Sequence, residues 1–201
     1  MWFKSIIGSF RDSAEEFRKL SVIVFCGMMG ALSIVLGTFA SISVGPTIKI
    51  GFSAIPNIIV DAFFGPAVGG VFGALMNTLK YMIHPDGAFF PGFTVSAAVA
   101  AVIYGLILYK KKLTIVRFFF SQFLVKLIVD VGLNTLWLNM LYGKAFQVIL
   151  PARIISNLIQ LPVDTIVYFI LLKAVYQVLL PHVRARRQVE SKKQTSGNGQ
   201  F

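Results

Sequence analysis

Between residues 20 and 180 the chain is a succession of apolar runs, with Lys and Arg gathered between and beyond them. A helix needs roughly 20 apolar residues to cross the hydrocarbon of a bilayer. A chain that is 56% hydrophobic and only 13% charged, with a mean hydropathy of +0.77, cannot hide that much apolar surface in water. The runs are continuous and do not alternate with polar residues, which points to helices and against a barrel. The fold class expected is therefore an all-α integral membrane protein, a six-helix bundle in one membrane domain over residues 21–182. Residues 1–20 read as an amphipathic, interfacial segment, and residues 183–201 as a basic, disordered tail.

The six spans are predicted at 21–43, 50–64, 66–83, 93–109, 115–141 and 151–180. The second is short and carries Pro56, as tolerated where backbone lines a cavity rather than lipid. Phe64-Gly65-Pro66 is a junction tight enough to fold the second and third spans into a hairpin. With the N-terminus inside, the cytoplasmic side collects Lys4, Arg11, Arg18, Lys19, Lys110, Lys111, Lys112, Arg117, Arg184, Arg186, Arg187, Lys192 and Lys193. Only Lys49, Lys80, Lys144 and Arg153 fall outside. This bias places both termini in the cytoplasm, which requires an even number of spans. The location expected is the cell membrane, and the positive charge serves topology rather than nucleic-acid binding.

Polar residues in lipid are costly and need partners. Residues 131–160 concentrate them: Asn134, Trp137, Asn139, Tyr142, Lys144, Arg153, Asn157 and Gln160. Arg153, Asn157, Gln160 and Asp164 recur at helical spacing, as do Lys126, Asp130, Asn134 and Trp137. The deeper members, Lys126, Asp130 and Asp164, are expected to neutralise one another, Lys126 pairing with Asp130 along its own helix. The outer members are expected to face a ligand. Arg153, Lys144 and Lys49 suit carboxylates. Trp137, Phe89 and Phe90 suit a flat ring, and Asn134 and Asn157 can each donate to and accept from a heterocycle edge. The substrate class expected is a small, anionic, aromatic solute entering from outside.

Two ridges of small residues permit close helix approach: Gly27 with Ala31 in the first span, and Gly65, Gly69 and Gly73 in the third. Each could pack within the bundle or dock another membrane protein. There is no P-loop, no HExxH motif and no nucleophile elbow, and His84 and His182 are predicted on opposite sides. Neither an enzyme nor a metal or cofactor site is expected, and Cys26 cannot form an internal disulfide.

Three stretches then carry a resemblance: IKIGFSAIPNIIVDAFFGPAVGGVFGALMNTLKY (48–81), HPDGAFFPGFTVSAAVAAVIYG (84–105) and LNTLWLNMLYGKAFQVILPARIISN (133–157). They resemble the substrate-binding (S) components of energy-coupling factor (ECF) vitamin transporters, and the third stretch resembles the folate-specific ones. The sequence departs from the pattern at Asn77, where an Asp is expected, at Lys49, where Arg is common, and at Ser156, where Lys is common. The resemblance implies a membrane subunit that binds folate outside with high affinity and delivers it inward by toppling in the bilayer. It further implies a transmembrane coupling protein, docked at Gly27 and Ala31, and through it two ATPase subunits that consume ATP. The alternatives are an S component for thiamine or riboflavin, and a solitary ion-coupled carrier using Asp61, Asp130 or Asp164.

Overall fold

The computed structural model describes residues 2–39, 41–44, 48–85, 89–143 and 146–197. An N-terminal helix α1 (Trp2–Glu16) leads into α2 (Leu20–Phe39). A ribbon of β1 (Ser41–Val44) and β2 (Ile48–Gly51) follows, antiparallel, with Ser41 opposite Gly51 and Val44 opposite Ile48. Then come α3 (Ala54–Ile83), α4 (Pro91–Leu108), α5 (Ile115–Val125), a π-helical stretch (Lys126–Leu133), α6 (Asn134–Tyr142) and α7 (Phe146–Gly197). The bundle is helical as expected, and the ribbon is a local correction to the all-α reading. Residues 41–43 and 50–51, predicted as span ends, are strands, since Ile and Val alternate there with Ser, Lys and Gly.

Among the described residues, four helical segments are individually long and apolar enough to cross a membrane: Leu20–Phe39, Ala54–Ile83, Pro91–Leu108 and Arg153–Val175. The six expected spans emerge because α3 is broken in the middle and because α5, the π stretch and α6 run on as one rod. Inside α3, Gly65 has φ 86° and ψ −172°, a conformation open in practice only to glycine, and Pro66 has no amide hydrogen to continue the ladder. The chain turns back there, so that a side chain at Gly69 would collide with Asp61. Residues 54–64 and 66–83 are thus two antiparallel arms.

The two arms form the centre of the bundle. Of the apolar window of α3, 72% is buried within the protein, against 17% for α2, which rides on the periphery. Ile58, Ile59, Val60 and Val68 pack with Phe118 and Leu172 in the main core. Of the predicted ridge, Gly73 lies against Ala97 and Ala101 of α4, Gly69 against Asp61 of the other arm and Gly65 against Ser13 and Tyr109, so it is spent on packing within the bundle. Gly105 of α4 sits directly on the break, where a methyl group would lie 2.6 Å from the Pro66 nitrogen.

Breaking a helix leaves amides without partners, and α1 supplies the remedy. Ser13, fully buried, donates its hydroxyl to the Phe64 carbonyl at 2.5 Å. The same oxygen accepts from the amides of Ala67 and Val68, both at 3.1 Å. Asp12, beside it, pairs with Lys110 at 2.6 Å, and this contact holds the Asp12 carboxyl below its usual pKa. Ser13 therefore works as an N-cap donated from another helix. Ser13→Ala is expected to lower stability by about 1–2 kcal/mol, read as a drop in thermal unfolding temperature in detergent.

At the other end of the chain, α7 continues as helix through Gly197, where a disordered tail is expected from the sequence. Residues 188–194 contain good helix formers and neither Gly nor Pro, so nothing in them stops a helix already under way.

Candidate ligand-binding site

A polar cavity of about 340 Å³ lies between α4, the α5–π rod, α7 and the start of α3. Its walls are Ala54, Tyr104, Gln122, Val125, Lys126, Asp130, Arg153, Asn157, Gln160, Asp164 and Tyr168. Helix periodicity explains why α7 contributes so many of them. Arg153, Asn157, Gln160, Asp164 and Tyr168 fall on one stripe, and the positions between them are largely exposed apolar residues such as Ile155, Leu158, Ile159 and Ile166. Tyr168 lies about 22 Å along the helix from Arg153 by helix rise. Its hydroxyl donates to the Gly51 carbonyl at 3.0 Å, which holds the base of the β ribbon deep within the span. The short arm 54–64 thus follows directly on a ribbon whose base is tied to α7, and its first residue, Ala54, lines the cavity.

The charged groups of the cavity are arranged across helices. Lys126 Nζ meets Asp164 Oδ2 at 2.9 Å, with both side chains nearly inaccessible. The expected Lys126–Asp130 pair along one helix gives way to this contact between helices. The physical reason is the π stretch, whose i→i+5 bonding puts an extra residue in the turn and rotates the residues beyond it. It also divides the predicted stripe: Lys126 and Asp130 line the cavity, whereas Trp137 turns towards α4. The Asp130 carbonyl accepts from Arg153 Nη1 at 3.2 Å and from Thr135 Oγ1 at 3.4 Å. Its carboxylate accepts from Asn134 Nδ2, also at 3.2 Å.

Two nearly buried side chains on this cavity have polar atoms without a partner among the described residues: Asp164 Oδ1, an acceptor, and Gln122 Nε2, a donor. Each is held in place through its other atom, Asp164 by Lys126 and Gln122 by Tyr104, whose hydroxyl donates to Gln122 Oε1 at 2.8 Å. Leaving such atoms unpaired costs about 1–3 kcal/mol each, so they favour a guest that carries the complementary edge.

The aromatic candidates gather elsewhere, at the start of α4. Phe90 and Trp137 have ring centroids 5.6 Å apart, and Phe93 packs edge-on to Phe90 at 6.2 Å. Trp137 Nε1 donates to Ser96 Oγ at 3.0 Å. Gly92 makes this possible, because a methyl group there would overlap both the Phe90 and Trp137 rings. Phe89 packs on Tyr81, with ring centroids 5.0 Å apart and the planes tilted by 51°. Asn134 links the two groups, bonded to Asp130 and one turn before Trp137.

Of the residues singled out in the sequence, Arg153 and Asn157 line the cavity, Asn134 adjoins it, and Phe89, Phe90 and Trp137 form the neighbouring aromatic cluster. Lys49 is in β2, opposite Ser43, and its side chain lies outside the described residues, as does Lys144 altogether. Gly27 and Ala31 are exposed on α2, along an apolar groove of about 470 Å³ between α2 and the arm 66–83. Sequence reasoning misses Gln122 and Tyr168, although each extends a recognised stripe by one four-residue step. Tyr104 carries no such signal.

The family model described as "ECF transporter, substrate-specific component" matches residues 21–172. A "Folate transporter FolT" of Clostridium novyi (strain NT) is 40% identical over 152 residues, covering 76% of this chain and 88% of that protein. A second "Folate transporter FolT", from Leuconostoc mesenteroides subsp. mesenteroides, is 33% identical over 156 residues, covering 74% of this chain and 83% of that protein. Among solved structures, "Crystal structure of FolT bound with folic acid" superposes with a TM-score of 0.68 at 28% identity, covering 78% of this chain and 95% of that one. The match spans most of the membrane domain, and the apolar helices agree with it. The chain belongs to the substrate-specific components of ECF transporters, multi-pass proteins of the cell membrane that are transporter subunits and not enzymes.

Proposed function

We propose that this chain is the high-affinity folate-binding subunit of an ECF importer, taking folate from outside the cell. The observation that carries the reading is the pair of unpartnered atoms in the cavity, Asp164 Oδ1 and Gln122 Nε2. Folate ends in a 2-amino-4-oxopteridine, whose edge offers N–H donors to a carboxylate and a carbonyl to an amide. Its other end bears two carboxylates, and Arg153 lies on the same wall about 16 Å along α7 from Asp164 by helix rise. The relatives named folate transporters, and the structural neighbour that holds folic acid, support the same substrate.

In this reading the pteridine meets Asp164 and Gln122, Asn157 and Asn134 border it, and Arg153 holds a carboxylate. Lys49 and Lys144 add positive charge at the mouth, and Phe89, Phe90 and Trp137 supply aromatic surface for the linker ring. Both termini face the cytoplasm. The exposed Gly27–Ala31 face of α2 receives the transmembrane coupling protein, through which two ATPases act. Arg153→Ala is expected to weaken folate binding by about 1.5–3 kcal/mol, the loss of one charge-assisted bond, in equilibrium binding of radiolabelled folate. Unchanged affinity would remove Arg153 from the site. Uptake in cells lacking the coupling protein and ATPases is expected to fail; sustained uptake would point to a solitary carrier.

A further inference from the structure

On the flank of the bundle away from α7, a groove of about 730 Å³ runs between α4 and α5 beneath α1. One end is cationic, with Lys111 and Arg117, and the rest is apolar, with Leu106, Ile107, Phe120 and Leu124. Residues 109–114 join two membrane spans, so the cations sit at the level of lipid headgroups while the apolar walls descend along the spans. The walls face outward: Val116 is 71% and Phe120 57% exposed.

Among the described residues, no carboxylate pairs with the cations at this end. Asp12, the carboxylate that reaches this loop, is taken by Lys110. Lys111 Nζ donates to the Leu106 carbonyl at 3.4 Å, and Arg117 Nη1 to the Lys112 carbonyl at 3.0 Å. Neither has a carboxylate partner among the described residues, and no acidic residue lines the groove. A lysine has three N–H donors and an arginine five, so both side chains keep donors that a phosphate can take in place of water. A phosphate over two cations, continuing into a hydrocarbon chain, matches this sequence of surfaces.

We infer that the α4–α5 groove is a binding site for an anionic glycerophospholipid, its phosphate held by Lys111 and Arg117 and one acyl chain laid along Leu106, Ile107, Phe120 and Leu124. The lipid is favoured over an acidic segment of a partner protein because the apolar walls lie within the span, where lipid is already present. The inference does not depend on the identity of the transported solute.

The test uses the full chain purified in dodecyl maltoside, titrated with dioleoylphosphatidylglycerol or dioleoylphosphatidylcholine. The anionic lipid is expected to raise the unfolding temperature by about 5 °C more than the zwitterionic one. Lys111→Gln with Arg117→Gln should abolish that difference, whereas Lys192→Gln with Lys193→Gln, at the far end of α7, should preserve it. Equal stabilisation by both lipids, retention of the difference in the first variant, or equal loss in the second overturns the proposal. Native mass spectrometry of the unmodified protein decides the matter even if a variant fails to fold. One phosphatidylglycerol should survive activation that strips phosphatidylcholine, and the absence of such an adduct, or its displacement by purified coupling protein at the same groove, counts against a lipid site.

Discussion

Lys126→Met should be among the most destabilising single changes in the bundle, costing about 3–5 kcal/mol. Lys126 and Asp164 meet at 2.9 Å with side chains only 9% and 5% exposed, and removing the cation strands a carboxylate away from water. Adding Asp164→Leu removes the stranded charge, so the double variant should recover most of the stability. The cycle separates structure from binding. Asp164 also carries the free Oδ1 in the cavity, so under the proposed function the double variant folds but no longer retains folate. Chemical unfolding in detergent measures the first effect and a folate titration the second. A double variant as unstable as Lys126→Met would show that the pair is not an isolated ionic contact.

Gly65→Ala should be comparably severe, for a different reason. The backbone at Gly65, with φ 86° and ψ −172°, costs about 1–3 kcal/mol for a residue with a side chain. The added methyl group would also lie 3.0 Å from the Ser13 β-carbon and 3.1 Å from the Tyr109 ring, an overpacking worth about another 1–3 kcal/mol. Gly27→Ala is the matched control: nothing lies within 4 Å of the new methyl group, and helix propensity alone should make it neutral or stabilising by up to about 1 kcal/mol. Thermal unfolding of the two variants side by side checks both, and equal effects would contradict the account of the α3 break.

The membrane architecture is legible in the sequence because lipid imposes few options on apolar runs of that length. Gly65-Pro66 also announces its own break. The partner of that break is not legible. The amphipathic pattern gives α1 as a helix, but nothing local tells Ser13 from any other serine, and its carbonyl acceptor Phe64 lies 51 residues away. The β ribbon is hidden for another reason: Ile42, Val44, Ile48 and Ile50 serve a strand as readily as a membrane helix.

The candidate site is half legible, along α7. There the α-helical period holds from Arg153 to Tyr168, and one more four-residue step adds Tyr168 to the stripe. Along the fifth span the stripe holds from Lys126 to Asp130 and is lost by Trp137. The π stretch carries no residue signature in Lys126–Leu133 that separates it from ordinary helix, yet it decides which side chains face α7 and which face α4. The cross-helix Lys126–Asp164 contact and the separation of Trp137 from Arg153 both result from it.

Under the proposed function, the cavity between the α5–π rod and α7 reads a folate. Calorimetric titration of the purified full chain with folic acid, thiamine and riboflavin tests it most directly. A single tight site for folic acid with no heat from the other two is the predicted result. Binding of thiamine or riboflavin with silence towards folic acid would contradict it.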